Sequence, residues 1–334
     1  MKRTNWTKRA TVALAAVCVA LAGMSAFAPA KAQDWLLQVE GVPISREVYS
    51  YFLSEALGET QRKPDGRPAD MAALRRDVAA RCTRFVAVNS ELRAMQVPVD
   101  QVLKAQVAER MMFRWYLFGN YYQSIGVSKQ TLNDIITGEA ARDQLFRALY
   151  DLDGTQPTTR EALEANFYGN YVAYQGVRVF RTVLQEDGPE REMTPEESAA
   201  LRHTLELFVD AVNNAGDFYG VAQEERFAEA LGYAMPSITV VRKGAGDMAD
   251  ADVELIRRLG TEQFELLEMP GLFLIAKGVN MRDAPEEYYQ GYRADCLWAL
   301  KGAEYEAALT ALCEKFRADE NVSEVEKLYK GWNW

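Results

Sequence analysis

Much of the first half of the chain repeats apolar residues at intervals of three and four. This spacing predicts amphipathic helices. The three longest such segments are Met71–Leu92, Val99–Phe118 and Ser128–Tyr150. Ahead of them, Trp35–Val39 is predicted as a short strand, followed by a turn at Glu40–Pro43 and a helix capped by Ser45. The N-terminal half is therefore predicted to be a helical domain.

The pattern changes near Tyr174 to shorter segments, several of them β-prone. Val177–Leu184 is predicted as a strand and Gln185–Met193 as an acidic loop, after which Thr194–Glu197 forms a capping box with proline at the first helical position. The elements predicted next are a helix at Phe218–Ala230, a strand at Ser237–Arg242, a helix at Asp250–Leu259 and strands at Gln263–Met269 and Leu272–Val279. The order β-α-α-β-α-β-β predicts a small domain that combines helices with a sheet.

The last predicted element is one long helix, Pro285–Ala318. Because helical segments flank the β-containing block, we expect the two flanks to pack together and the block between them to be an insertion. The predicted fold class is α+β and mostly helical, and the predicted segments are 1–32, 33–172, 173–283 and 284–334.

The first segment has the three parts of a secretory signal. Four basic residues (Lys2, Arg3, Lys8 and Arg9) precede an apolar run, Ala10–Ala28, and the small-x-small site Ala30-Lys31-Ala32. We expect cleavage there, so that the mature chain begins at Gln33 and is exported. The alternatives are a retained membrane anchor and a lipid anchor on Cys18. The apolar run is rich in alanine, whereas a spanning helix needs about 20 strongly apolar residues.

Charge excludes some classes of partner. The chain has 38 basic and 48 acidic residues, a net charge of −10. The signal contains five basic and no acidic residues, so the mature chain has 33 basic against 48 acidic residues, a net charge of −15. Such an acidic chain lacks the basic surface that nucleic acids or anionic lipids require. We expect no nucleic-acid partner and no membrane anchor after cleavage.

Few residues indicate catalysis or metal binding. The sequence has one histidine, His203, no Cys-x-x-Cys spacing and no phosphate-binding loop, so no metal or cofactor is predicted. His203 lies off the apolar stripe of its predicted helix and is expected on the polar face. Cys296 and Cys313 would be about 25 Å apart on one helix, too far for a disulfide. Either could pair with Cys82 only if the C-terminal helix folds back on the N-terminal region, and the prediction is that all three are buried free thiols.

One segment is unusually dense in methionine and aromatic residues. Its members are Met111, Met112, Phe113, Trp115, Tyr116, Phe118, Tyr121 and Tyr122. They do not all fit one face of a helix. One interpretation is a core that packs against the C-terminal helix. The other is an exposed surface whose adaptable side chains bind varied apolar segments.

The order of elements, with several local motifs, resembles a known family. Val39–Glu47 is similar to the "VNG-x-x-I(S/T)-x-E" opening, and Tyr122–Thr131 to the "GIS-x-x-T" helix start, of the SurA/PrsA-type exported peptidyl-prolyl isomerases. The resemblance extends through Leu145–Tyr150 and Glu161–Tyr171. It implies an N-terminal chaperone domain (similar to that of SurA) completed by a C-terminal helix, with an inserted parvulin-like domain.

The resemblance also places the isomerase pocket. Arg181 stands where the family has the histidine of "KHIL", Phe273 where it has the histidine of "GYHIIK", and Leu231-Gly232-Tyr233 is what remains of "GGDLG". The resemblance therefore implies a parvulin-like fold whose polar centre has been replaced. Rotation about a prolyl amide needs no covalent step, so this replacement leaves weak isomerase activity or none as the expectation, with an active, divergent isomerase as the alternative.

By resemblance, the chain is expected to be an ATP-independent foldase or chaperone for unfolded or nascent secreted proteins, acting in a periplasm, a cell-wall space or outside the cell. An extracytoplasmic interaction or structural protein on the same scaffold is a further alternative. The candidate client-binding residues are Met111, Met112, Trp115, Tyr116, Phe118, Tyr121 and Tyr122.

Overall fold

A computed structural model describes residues 35–64, 66–96, 101–185, 188–231, 234–246 and 248–332. The predicted signal peptide, Cys18, the cleavage site, the start at Gln33 and the pair Gly232-Tyr233 lie outside these residues. The described chain divides into two compact units, one of residues up to Thr158 together with Lys301 onward, the other Thr159–Leu300. Both are rich in helix and contain small antiparallel sheets, so the predicted α+β, mostly helical class is confirmed.

The first unit consists mainly of helices. Its elements are β1 (Leu37–Val39), β2 (Val42–Ile44), α1 (Arg46–Glu59), α2 (Met71–Ala94), α3 (Gln101–Ser124) and α4 (Lys129–Tyr150). The cap predicted at Ser45 is present, and Ser128 caps α4 in the same way, since each side chain accepts a hydrogen bond from a backbone N–H of the first helical turn. The predicted second helix extends six residues beyond Phe118, to Ser124.

The predicted turn at Glu40–Pro43 is correct only in its first half. Glu40 and Gly41 have φ angles of 50° and 76°, which suit the two central residues of a tight hairpin turn. Val42 and Pro43 instead belong to β2, which pairs with β1. Proline is tolerated there because β2 lies at the edge of its sheet.

The prediction of a single C-terminal helix is wrong beyond Cys313. The chain forms α10 (Pro285–Cys313), then β9 (Ala318–Glu320) and α11 (Val322–Lys330). Strand β9 pairs with β1, so that β1 becomes the central strand of three. If this segment continued as a helix, the N–H and C=O groups on the outer edge of β1 would have no partner in the sheet. Pairing with β9 supplies those partners. The C-terminal chain thus contributes a strand and a second helix to the first unit.

Polar contacts hold this C-terminal segment to the first unit. Arg75 donates to Glu320 at 2.6 Å, and the hydroxyls of Tyr49 and Tyr329 lie 3.1 Å apart. Upstream, Glu306 of α10 accepts from both Arg84 and Arg142. Val325, Leu328 and Tyr329 of α11 are buried in the same core as β1 and α2.

The second unit contains a four-stranded antiparallel sheet with a core on each face. Its elements are α5 (Arg160–Asn170), β3 (Tyr171–Phe180), β4 (Thr182–Gln185), β5 (Gly188–Glu192), α6 (Pro195–Ala215), α7 (Phe218–Ala222), α8 (Glu225–Leu231), β6 (Ser237–Arg242), α9 (Asp250–Arg257), β7 (Glu265–Met269), β8 (Leu272–Val279) and α10 up to Leu300. The strand order is β6-β3-β8-β7. Helices α6, α7 and α8 pack on one face, and α9 packs on the other.

Two predicted elements of this unit are corrected. The predicted acidic loop contains β5, which pairs with β4 as a separate hairpin, and the predicted first strand is divided at Arg181 into β3 and β4. The predicted helix Phe218–Ala230 is two helices, α7 and α8. Phe218 and Phe227 both pack on Phe208, which requires the chain to turn between them.

The division into units differs from the predicted segments at both ends. Helix α5 falls in the second unit, ahead of the predicted boundary at 172/173, and the other boundary falls inside α10. An aromatic group within the second unit links these two helices, since Phe167 and Tyr171 both lie near the ring of Tyr292. Among the helices of the described ranges, none combines the length and apolarity needed to cross a bilayer. The described thiols, Cys82, Cys296 and Cys313, are free, and the first two are buried.

Candidate functional sites

A cleft of about 540 Å³ lies in the second unit, at the resemblance-derived pocket position. Its walls come from the start of α6, from the residues that follow β5 and from the turn between β7 and β8. Arg181, Met193, Arg202, Glu268 and Phe273 are among the residues that line it. The structure therefore places Arg181 and Phe273 in the same cleft.

Arg181 is held in place by several groups. Its backbone N–H donates to the Gly271 carbonyl at 2.9 Å. Its guanidinium donates to a Glu268 oxygen at 3.1 Å and to the Met269 carbonyl at 3.0 Å. The second Glu268 oxygen accepts from Arg202 at 3.1 Å. The guanidinium is thus a fixed positive group in the wall of the cleft.

Phe273 forms the apolar floor of the cleft. Its ring is 1% exposed and packs in the core with Leu205 and Phe208. The Arg181 guanidinium carbon lies 5.4 Å from the centre of the ring, within cation–π distance. The two positions thus face each other in contact. Among the described lining residues there is no histidine or cysteine, and the exposed His203 is not one of them. The cleft thus combines the Arg181–Glu268 ion pair with an apolar floor.

The entrance to α6 adds an ion pair beside the cleft. Arg191 donates to both oxygens of Glu197, at 2.7 and 2.6 Å. Glu197 also accepts from the backbone N–H of Thr194, which completes the predicted capping box. The hydrogen bonds from Arg191, followed by that from Thr194, lower the pKa of the Glu197 carboxyl to about 2.

A second candidate site lies on α3 in the first unit. Met112, Phe113 and Tyr116 are 69%, 62% and 85% exposed, and Leu117, Phe118 and Tyr121 are about half exposed. We call these six residues the α3 patch. Spacings of four residues place Met112 with Tyr116, and Phe113 with Leu117 and Tyr121, on one side of the helix. From Trp115 to Ser128 the sequence has no charged residue, so this surface is apolar and largely neutral.

The other side of α3 belongs to the core. Met111 and Tyr122 are each 6% exposed, and Trp115 packs against the same core cluster. Three of the seven candidate residues are therefore part of the packing, whereas Met112, Tyr116, Phe118 and Tyr121 remain accessible. Leu117, which is 49% exposed, was not among the residues predicted to bind clients. Its four-residue spacing from Phe113 was the signal that could have found it.

A partly buried polar group holds the inner side of α3. Arg114 donates to the Tyr51 hydroxyl at 2.9 Å, and that hydroxyl donates to Glu139 at 3.0 Å. The Tyr51 ring also stacks on Tyr122, with centroids 6.1 Å apart. These contacts link α3 to α1 and α4 along its inner side. The α3 patch is thus held outward on a well-anchored helix.

The chain thus has an α+β fold. One unit is helical and includes the C-terminal segment, and the other contains the four-stranded sheet. Two solved structures are similar to the chain. One is foldase protein PrsA from Streptococcus pneumoniae str. Canada MDR_19A, with 10% identity, 77% of this chain and 93% of that chain covered, and a TM-score of 0.34. The other is foldase protein PrsA from Lactococcus lactis, with 10% identity, 88% and 97% covered, and a TM-score of 0.37. No protein-family model and no curated protein matches the sequence.

Proposed function

We propose that the chain is an exported, foldase-type chaperone that binds unfolded secreted proteins through the α3 patch, without ATP. The observation that carries this proposal is the patch itself, six large apolar side chains exposed on one anchored helix. A soluble protein gains nothing for its own fold from such a surface, and contiguous exposed apolar patches mark binding sites.

The composition of the patch supports binding of many different clients. Methionine adapts its shape, and aromatic rings contact apolar segments of any sequence. Covering apolar surface contributes about 25 cal/mol per Å², without the need for a matching charge. Release requires only dissociation, since a contact of this kind is reversible. The sequence contains no phosphate-binding loop that would couple binding to ATP.

Substitution of the two most exposed aromatic residues tests this proposal. In the double variant Phe113→Gln and Tyr116→Gln, we expect the Kd for a reduced, unfolded client to rise roughly 30-fold, because two central contacts of about 1 kcal/mol each are lost. Fluorescence anisotropy gives the affinity, and light scattering gives the loss of aggregation suppression. The control is Leu207→Gln with Tyr219→Gln, since both residues are 47% exposed and lie in the second unit. Unchanged affinity in the α3 variant, with unchanged thermal stability, would contradict the proposal.

We also propose that the cleft has weak isomerase activity or none. Prolyl isomerisation requires a barrier of about 20 kcal/mol to be lowered by an environment that disfavours the planar amide. Here the guanidinium of Arg181 lies against the Phe273 ring and is hydrogen-bonded to Glu268. This arrangement stands where the resemblance would place the polar network of an isomerase. In a proline-tetrapeptide assay we expect a rate close to that of the spontaneous reaction. A large acceleration would instead support the active, divergent isomerase.

Export remains part of the proposal and depends on the N-terminal sequence. If the Ala30-Lys31-Ala32 site is cleaved, the protein recovered from the exported fraction begins at Gln33. Intact-mass and N-terminal measurements on the full chain check this directly. Recovery of an uncleaved chain from membranes would favour the retained anchor, and an acylated peptide beginning at Cys18 would favour the lipid anchor.

A further inference from the structure

The sheet of the second unit has an open edge at β6. Strand β6 pairs with β3 in a regular antiparallel register, with Val241 opposite Val172 and Val240 opposite Ala173. The Lys243 N–H donates to the Asn170 carbonyl at 2.9 Å, which continues the same register. Because hydrogen-bonded pairs alternate in an antiparallel ladder, Thr239 and Val241 bond to β3. The N–H and C=O groups of Ile238 and Val240 therefore point away from the sheet.

These outward groups are unpaired. Within the part of the chain that the structure describes, neither the backbone of Ile238 nor that of Val240 forms a hydrogen bond on its outer side. Ile238 is 51% exposed, and Met235, just ahead of the strand, is 67% exposed. Two donors and two acceptors thus lie at strand spacing beside accessible apolar side chains.

The opposite edge of the sheet is partly blocked by a side chain. At the start of β7, the Asn213 side chain on α6 accepts from the Phe264 N–H at 2.8 Å and donates to the Phe264 carbonyl at 2.9 Å. A side-chain amide thus imitates the pairing of a neighbouring strand. Proteins commonly cover or block sheet edges because open ones recruit other chains. The Asn213 amide thus occupies the outward pair of Phe264 ahead of β7, whereas the outward pairs of Ile238 and Val240 within β6 are open.

We propose that the outer edge of β6 binds an extended segment of an unfolded client as a fifth strand of the sheet. The unpaired backbone groups specify the chemistry of the ligand, which is a polypeptide in β conformation. Main-chain pairing does not depend on sequence, and Ile238 offers an apolar neighbour to a side chain on the added strand. This inference rests on the proposed chaperone function and gives it a second contact, one that recognises the client backbone.

A client segment fits this edge better than a second copy of the chain. The six residues of β6 span only about 20 Å. Pairing along such a short strip covers far less than the roughly 800 Å² per partner of a stable interface. The net charge of −10 also makes two copies repel each other. A short, transient strand contact is what a chaperone that must release its client requires.

Hydrogen exchange of single amides in the full chain tests the inference. The probe is a soluble peptide of alternating valine and threonine, compared with the same peptide N-methylated at every residue, which blocks both of its edges. We expect saturating unmodified peptide to slow exchange of the Ile238 and Val240 amides about tenfold or more, because they become hydrogen-bonded. The amides of Thr239 and Val241 already bond to β3 and serve as internal references. The peptide N-methylated on both edges should give no protection at Ile238 and Val240, because it cannot pair as a strand.

Two outcomes would overturn the inference. One is binding of the peptide with no protection at Ile238 and Val240, and the other is equal protection by a peptide methylated on both edges. A Val240→Pro variant supplies an independent check, because it removes an outward donor while leaving the ladder to β3 intact. It should weaken peptide binding at least tenfold. Running the same experiments in the Phe113→Gln, Tyr116→Gln variant separates the two surfaces, since loss of the α3 patch should leave protection at β6 unchanged.

Discussion

Replacing Tyr329 by alanine tests whether the C-terminal segment stabilises the first unit. Tyr329 is 7% exposed and packs in the core, and its hydroxyl lies 3.1 Å from that of Tyr49, which is 0% exposed. Burial raises the pKa of Tyr329 to about 12 and also raises that of Tyr49, so both phenols stay protonated and share a hydrogen bond. Removal of the ring leaves a cavity and deprives the buried Tyr49 hydroxyl of its partner.

The two losses together should cost about 3–5 kcal/mol of unfolding free energy. For a unit of this size, that corresponds to a decrease in Tm of about 10 °C. Urea unfolding followed by tryptophan fluorescence measures the free energy. Tyr329→Phe keeps the ring and should lose only about 1 kcal/mol. Tyr116→Ala is the matched control, because Tyr116 is 85% exposed in the same unit and its loss should change stability by less than about 0.5 kcal/mol. If Tyr329→Ala cost no more than Tyr116→Ala, the C-terminal helix would not belong to this core.

Two further predictions concern a close contact and an ion pair. A Cβ added at Gly138 would lie 2.2 Å from the Phe85 ring, so Gly138→Ala should lower the unfolding free energy of the first unit by about 1–3 kcal/mol. Gly58 has open space around it, so Gly58→Ala is the control and should be neutral or stabilising. Chemical denaturation measures both. A destabilising Gly58→Ala and a neutral Gly138→Ala would refute this packing argument. Because the folded pKa of Glu197 is lowered to about 2, its contribution to stability is present above the ordinary pKa of 4.5 and is lost as pH falls through about 2. An NMR titration should show this midpoint, and Arg191→Gln should move it upward; an unchanged midpoint would exclude the ion pair as the cause.

Local signals in the sequence were enough to predict most helices. Ser45 and the Thr194–Glu197 box were identified as caps from their residue types, because a cap depends on side chains within one helical turn. Strand β6 was predicted with its observed bounds, Ser237–Arg242, since β-branched residues are concentrated there. The α+β class followed from the order of these elements.

The elements that were missed depend on distant parts of the chain. Strand β9 has the sequence Ala-Asp-Glu, which has little preference for a strand, and it forms because the edge of β1 is available about 280 residues earlier. Helical periodicity could not reveal the break between α7 and α8 either. Both short helices bury a phenylalanine against Phe208, and that shared contact is tertiary.

The candidate sites divide in the same way. The sequence alone determined which residues are apolar, which segments are helical, and that the segment around Met112 and Tyr116 is unusually rich in methionine and aromatic side chains. Only the tertiary structure decided that Met111 and Tyr122 face the core while Tyr116 faces outward, that Arg181 lies against Phe273, and that β6 has an open edge. Each of these depends on packing between elements far apart in sequence, which no local pattern specifies.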